Sequence, residues 1–213
     1  MSASLRLYTD FVCPFCFIAE ESTVPRLLRD LDLTLEWHGF ELHPGTPAGG
    51  LPLGELFPGT DLAAMHERTK RFAASFGVTG FEPPNVLRST RRALAVAELA
   101  RDRGRLGPFR EAAFRAHWRQ GRNLEDLADL ASVAADAGLD PAEAVAAADA
   151  APLLARVDSR QQAARAEGVR GIPTFVFLGA QGRETVVGCQ TYEILAAAAA
   201  RAGARPQGGV AAG

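Results

Sequence analysis

Cys13 and Cys16 are separated by Pro14 and Phe15, and the pair follows directly on the apolar segment Leu5–Phe11. Thiols at this spacing share one helical turn and can alternate between dithiol and disulfide while the rest of the chain stays in place. If Cys13 opens a helix, the free N–H groups and the macrodipole at that end favour an anion, which makes Cys13 the nucleophile. Cys16, one turn further in, ionises less readily and suits the resolving role, attack on a mixed disulfide formed at Cys13. Pro14 and Phe15 carry no charge, so support for the thiolate falls to the helix terminus and nearby backbone. A zinc site would need two further ligands at comparable spacing. Cys189, His38, His43, His66 and His117 are scattered along the chain and offer no such pair, so neither metal nor cofactor is expected.

A second candidate lies far away in sequence. In Gly171-Ile172-Pro173-Thr174 a proline stands at the start of a buried-looking strand, where its missing donor is costly in a sheet interior. A trans proline on an edge strand is the commoner arrangement. A cis Ile172–Pro173 bond would instead turn the chain sharply and present the Ile172 backbone to an extended substrate by strand addition. In company with Cys13-Pro14-Phe15-Cys16, the cis reading is preferred.

The elements that must hold these residues can be read from periodicity. Leu5–Thr9 alternates as a short strand, Pro14 fits the first position of a helix, and Pro25 is expected to kink that helix. Leu33, Leu35 and Trp37 alternate with Thr34, Glu36 and His38 in a second strand. A Gly- and Pro-rich irregular loop then runs to about Gly59. Helices follow from Leu62 to Phe76, from Val86 to about Arg103, and over Phe109–Trp118, Leu124–Ala137 and Pro152–Glu167, with Asn123 and Asp140 as caps and Gly138 and Gly168 as stops. A hairpin over Pro173–Gly188 and a closing helix from Tyr192, capped by Thr191, complete an α/β chain. The order is strand, helix, strand, helical block, hairpin, helix, and no internal repeat is visible.

The 213 residues are 47% hydrophobic and carry 23 Lys+Arg against 25 Asp+Glu, a formal charge of −2. That balance offers no general attraction for nucleic acid or an anionic membrane. Ala196–Ala200 is too short to span a bilayer, and the first residues lack a basic stretch followed by an apolar core, which points to the cytoplasm. With only 3 cysteines, a disulfide-stapled scaffold is disfavoured and cysteine chemistry is favoured. Cys189 reads as a small buried apolar group rather than a third redox thiol. His38 reads as solvent-facing or hydrogen-bonded, and Arg88, Arg91 and Arg92 as a solvated helix face, with the carboxylates of a glutathione-like ligand as the alternative.

The Cys-X-X-Cys after the first strand, the distant Gly-Ile-Pro-Thr before a hairpin and the helices between them resemble the thioredoxin fold of the DsbA family. Phe40-Glu41-Leu42-His43-Pro44, Asn85-Val86-Leu87-Arg88 with Ala93 and Ala97, Phe114–Asn123 and Gly168–Phe175 resemble its FrnE-like cytoplasmic branch. His43 departs from that pattern, where asparagine is expected, as does Cys189, where a small residue is expected. The resemblance implies a thioredoxin-like domain from residues 1–60 and 169–203 and an inserted helical domain at 61–168, while the Gly/Ala/Pro composition of 204–213, with too few large apolar groups to order itself, predicts a disordered tail. The resemblance also implies a thiol–disulfide oxidoreductase in which Cys13 attacks, Cys16 resolves and Pro173 is a cis-proline beside them, with Pro14, Phe15 and Ile172 contacting the substrate. The partner would be a protein or small-molecule disulfide or thiol, glutathione included, and a homodimer is left open. Kappa-class glutathione transferases and 2-hydroxychromene-2-carboxylate isomerases share the layout but typically place serine at position 13. A peptide-binding module with incidental cysteines is a third reading.

Overall fold

In the structure, a computed structural model that describes residues 3–208, strands β1 (Ala3–Thr9) and β2 (Leu33–Gly39) run parallel, with Ala3 opposite Leu33 and Thr9 opposite Gly39. Parallel neighbours need a crossover, supplied here by α1 (Pro14–Glu21) and α2 (Thr23–Asp30). The expected kink at Pro25 does not occur. The chain breaks at Ser22, and Pro25 falls in the first turn of α2, where its missing N–H costs no intrahelical bond.

The stretch to Gly59, expected to be irregular, contains β3 (Leu51–Pro52) and the one-turn helix α3 (Leu53–Leu56), followed by α4 (Leu62–Ala74). β3 pairs antiparallel with β4 (Val86–Leu87), so the next helix, α5 (Arg91–Asp102), starts later than its periodicity suggested. Then come α6 (Leu106–Gln120), α7 (Leu127–Asp136), α8 (Pro141–Ala148) and α9 (Ala151–Ala166). Asn123 does not cap α7. Asp126 does, its carboxylate accepting from Ala128 and Asp129 N–H, while Asn123 folds onto Glu125 N–H instead. Asp140 caps α8, as expected, by accepting from Glu143 N–H.

β5 (Thr174–Gly179) and β6 (Gly182–Val187) form the hairpin, β5 pairs antiparallel with β1, and the four-stranded order is β2-β1-β5-β6. α10 (Tyr192–Ala202) packs on this hairpin. The residues just after it are not free, contrary to the composition-based expectation: Asp32 N–H donates to Arg205 O at 2.8 Å and Gln207 N–H to Asp30 O at 2.9 Å. Residues 209–213 of the expected tail lie outside the described residues. The fit of α10 on the sheet depends on Gly179, where a Cβ would stand 2.3 Å from Ala202 O. Gly179→Ala is therefore expected to cost about 1–3 kcal/mol, read as a lower urea midpoint at unchanged slope. A midpoint equal to that of the parent would mean that α10 can retreat freely.

The helical segment and the sheet share one core. Trp118 on α6 stacks on Phe17 of α1 with centroids 5.4 Å apart, and its Nε1–H donates to Phe11 O at 2.8 Å, directly before the cysteines. Phe11 itself lies against Trp37, Phe109 and Phe114. Glu20 on α1 accepts from Trp37 Nε1–H and meets Arg110 at 3.3 Å, which fixes α1 between β2 and α6.

Candidate active site

The cysteine pair sits where β1 hands over to α1. Cys13 is the N-cap residue, with extended backbone, and its carbonyl accepts the first helical bond from Phe17 N–H at 3.0 Å. Pro14 occupies the first helical position, where its fixed φ suits the helix. Cys16 lies one turn in and is fully buried, and both thiols are reduced. Burial pushes the Cys16 thiol well above the ordinary range, the neighbouring Cys13 adds to the rise, and the Asp10 backbone opposes it. Cys16 is thus the protonated partner in the dithiol state.

Ile172 and Pro173 are brought to the same place from 159 residues away: the Cys13 thiol donates to Ile172 O at 3.9 Å. The Ile172–Pro173 bond is cis, and β5, which follows it, is an inner strand rather than an edge. Pro173 is buried, and its carbonyl accepts from Gly188 N–H at 2.8 Å.

Cys13, Pro14, Phe15 and Ile172 also border a cavity of about 380 Å³, while Cys16 and Pro173 stand behind its wall. The opposite side comes from α3, α4, β4 and α6, through Leu56, Phe57, Met65, Leu87 and Trp118. Phe15 is half-exposed, with its ring edge-on to Phe72 at 5.4 Å. Cys13, by contrast, is only 2% exposed, although it lines this cavity.

Asp10 was not singled out from sequence, although an acidic residue within an apolar strand-to-helix segment was the available signal. Its carboxyl is fully buried and accepts from Leu42 N–H at 2.7 Å through Oδ2, while Oδ1 has no hydrogen-bond partner among the described residues. Burial raises it to about 6, and Glu41 nearby contributes to the rise. It is close enough to Cys16 for its charge to bear on that thiol. The loop carrying Leu42 is fixed in turn by Gln161 on α9, which accepts from Glu41 N–H at 2.9 Å and donates to Glu41 O at 3.0 Å.

Other expectations resolve differently. His38 is half-buried and stacked on Tyr8 at 5.0 Å, with Nε2 buried and unpartnered among the described residues, and burial brings it down to about 4. Arg91 forms a two-pronged pair with Asp158 on α9, and Arg92 one with Asp149 after α8, while Arg88 bonds Gly49 O. These guanidinium groups brace the helices and are already occupied. Cys189 packs beside the core, where burial first and the neighbouring Cys13 second push its thiol up to about 12. Cys189→Ala is accordingly expected to keep disulfide-exchange turnover within roughly twofold of the parent, since a protonated thiol is a poor nucleophile. A loss of about tenfold would make it a participant.

No group of acidic, histidine and cysteine side chains able to hold a metal ion, and no helix long and apolar enough to cross a membrane, occurs among the described residues. The fold is similar to that of several solved proteins. A probable DsbA oxidoreductase from Streptomyces coelicolor superposes with TM-score 0.78 at 25% identity, over 94% of this chain and 89% of its own. A 2-hydroxychromene-2-carboxylate isomerase gives TM-score 0.72 at 22% identity, over 93% and 95%. The cytosolic disulfide reductase DsbM from Pseudomonas aeruginosa, also solved with GSH, gives 0.61 at 21%, over 86% and 88%. The family model for the DSBA-like thioredoxin domain matches residues 4–200, nearly the whole chain, and the protein belongs to that family.

Proposed function

We propose that the protein is a thiol–disulfide oxidoreductase whose working groups are Cys13 and Cys16, as membership of the DSBA-like family supports at the level of reaction class. One observation carries the residue assignment: a thiol at the N-cap of α1, beside the cavity, backed by a second thiol held protonated one turn deeper. Cys13 as thiolate attacks a substrate disulfide and expels one thiolate. Cys16 then gives up its proton and attacks the Cys13 sulfur, releasing the second thiolate and leaving a Cys13–Cys16 disulfide. Pro14, Phe15 and Ile172 border the substrate's position, and Pro173 supports the Ile172 carbonyl from behind. The match of Phe40–Pro44 and Gly168–Phe175 to the FrnE-like pattern supports that branch, and a reducing cytosol would set the pair to work in reduction or isomerisation rather than net oxidation.

Glutathione-dependent transfer or isomerisation is the second reading, favoured by the shared fold of the isomerase and by the GSH complex of DsbM. Cysteine rather than serine at position 13, and the prior engagement of Arg91 and Arg92 by carboxylates, favour exchange chemistry.

Titration of the pair in glutathione buffers tests the assignment. A single two-electron transition is expected, in which about 30 mV corresponds to a tenfold change in the equilibrium constant. Absence of a Cys13–Cys16 disulfide at every ratio would overturn the exchange reading.

A further inference from the structure

The cavity beside Cys13 has a wall with a definite chemical character. None of its lining residues is Lys, Arg, Asp or Glu, and most of the surface is aliphatic or aromatic. Four polar side chains interrupt it, those of His43, His66, Thr69 and His117, and of these Nε2 of His66 and Nε2 of His117 are each buried without a hydrogen-bond partner among the described residues. His117 is 5% exposed, and its other nitrogen meets Arg122 O at 3.4 Å. A buried, unpaired imidazole nitrogen is costly, and a polar atom of a ligand would relieve it. A volume of about 380 Å³ falls within the range of small-molecule pockets.

Access points the same way. A protein disulfide must bring its own backbone up to the attacking sulfur, which favours an exposed thiol. Cys13 is only 2% exposed, and it lines the cavity together with Phe15 and Ile172. A charged tripeptide disulfide would have to leave its carboxylates and ammonium groups in an apolar enclosure, without cations to receive them.

We infer that this cavity is the substrate site for an uncharged, apolar small-molecule disulfide of one or two rings, oriented by hydrogen bonds to His66 and His117, rather than for glutathione disulfide or a protein. The inference rests on the exchange reading for its chemistry. The Cys13 thiolate breaks the substrate S–S bond and forms a mixed disulfide, and the first ring thiolate leaves. Cys16 loses its proton and displaces the second, so the substrate gains two electrons and the cysteine pair loses them. An uncharged apolar monothiol, two equivalents per cycle and entering by the same cavity, returns the pair to the dithiol and leaves as its own disulfide.

Binding and chemistry can be tested separately. In Cys13→Ser, 4,4′-bipyridine, a neutral two-ring molecule without sulfur, is expected to quench Trp118 fluorescence saturably and to resist displacement by millimolar oxidised glutathione. Leu56→Glu, on the half-exposed helix α3, should weaken that binding at least about tenfold by placing a charge in the apolar wall. His117→Phe, which keeps the bulk and removes the nitrogen, should weaken it by about fivefold or more, and serves if Leu56→Glu does not fold. In the parent protein, single-turnover reduction of 4,4′-dithiodipyridine should saturate with concentration, whereas the dianion 5,5′-dithiobis(2-nitrobenzoate) should show a linear dependence and a lower rate relative to a free thiol. Reduction of insulin or oxidised glutathione without bipyridine binding in Cys13→Ser would overturn the substrate assignment and leave the exchange reading standing. Bipyridine binding with no disulfide of any class reduced would overturn the exchange chemistry and keep the cavity as a binding site for neutral ring compounds.

Discussion

Cys13→Ser is expected to abolish disulfide turnover, with a loss on the order of 10³-fold or more, while the protein stays folded. A hydroxyl is isosteric with the thiol to within a fraction of an ångström but does not ionise near neutral pH and is a weak nucleophile toward sulfur. Cys16→Ser should behave differently. The attacking thiol remains, so the first step proceeds, but nothing resolves the product, and the protein should accumulate as a 1:1 mixed disulfide at Cys13. Intact-mass measurement after exposure to a substrate disulfide distinguishes the variants: an adduct of one substrate thiol on Cys16→Ser, none on Cys13→Ser. The asymmetry has a structural origin, because Cys13 borders the cavity and Cys16 is sealed behind it with its thiol driven up by burial. Equal turnover in Cys13→Ser and the parent would remove Cys13 from the mechanism, and an adduct on Cys16 in place of Cys13 would reverse the roles.

What could be read from the sequence was local. Pro14 between the cysteines announces a helix start, and alternation in Leu33–Trp37 and in the hairpin announces strands, because these signals depend on residues a few positions apart. The pairing of β1 with β5 and the approach of Ile172 to Cys13 could be expected only by resemblance, since 159 positions separate the two residues. The cavity was not legible at all. Its wall takes Leu56, Met65, Leu87 and Trp118 from four separate segments, each of which reads by itself as ordinary core. Val86–Leu87 shows the same effect on secondary structure: helical in periodicity, it is claimed as a strand by Leu51–Pro52, because an available tertiary pairing outweighs a weak local preference. The arginines of α5 misled for a related reason, as nothing near them in sequence shows that Asp149 and Asp158 return to meet them.

The other large effect concerns Asp10, where stability and rate should move in opposite directions. Its carboxyl ionises near 6 in the fold against 3.8 ordinarily, because burial removes it from water and Glu41 repels its charge. The folded state therefore binds the proton more tightly than the unfolded chain between about pH 4 and 6, and its contribution to stability falls as pH rises through that window. At about 1.4 kcal/mol per pH unit the ionised carboxylate costs ~3 kcal/mol at pH 7. Asp10→Asn keeps an acceptor for Leu42 N–H and removes the charge, so it should be more stable than the parent at pH 7, by up to that amount, and match it near pH 3. The neutralising histidines, His38 and His117, tilt the curve of both proteins equally, so the difference between the two curves isolates Asp10. The gain should be accompanied by slower chemistry. Cys16 must lose a proton in a sealed site when it attacks Cys13, and the ionised Asp10 is the carboxylate whose charge bears on it. The rate at which the mixed disulfide resolves should rise through about pH 6 in the parent as Asp10 ionises, and in Asp10→Asn it should be lower by about 10- to 100-fold without that rise. Chemical denaturation at pH 3, 5 and 7 checks the first half, and quenched-flow mass measurement of mixed-disulfide decay checks the second. A variant that is stabilised but resolves as fast as the parent would make Asp10 a buried charge without a part in proton transfer. One that is destabilised at pH 7 would show that its ionised form is held by partners stronger than Leu42 N–H.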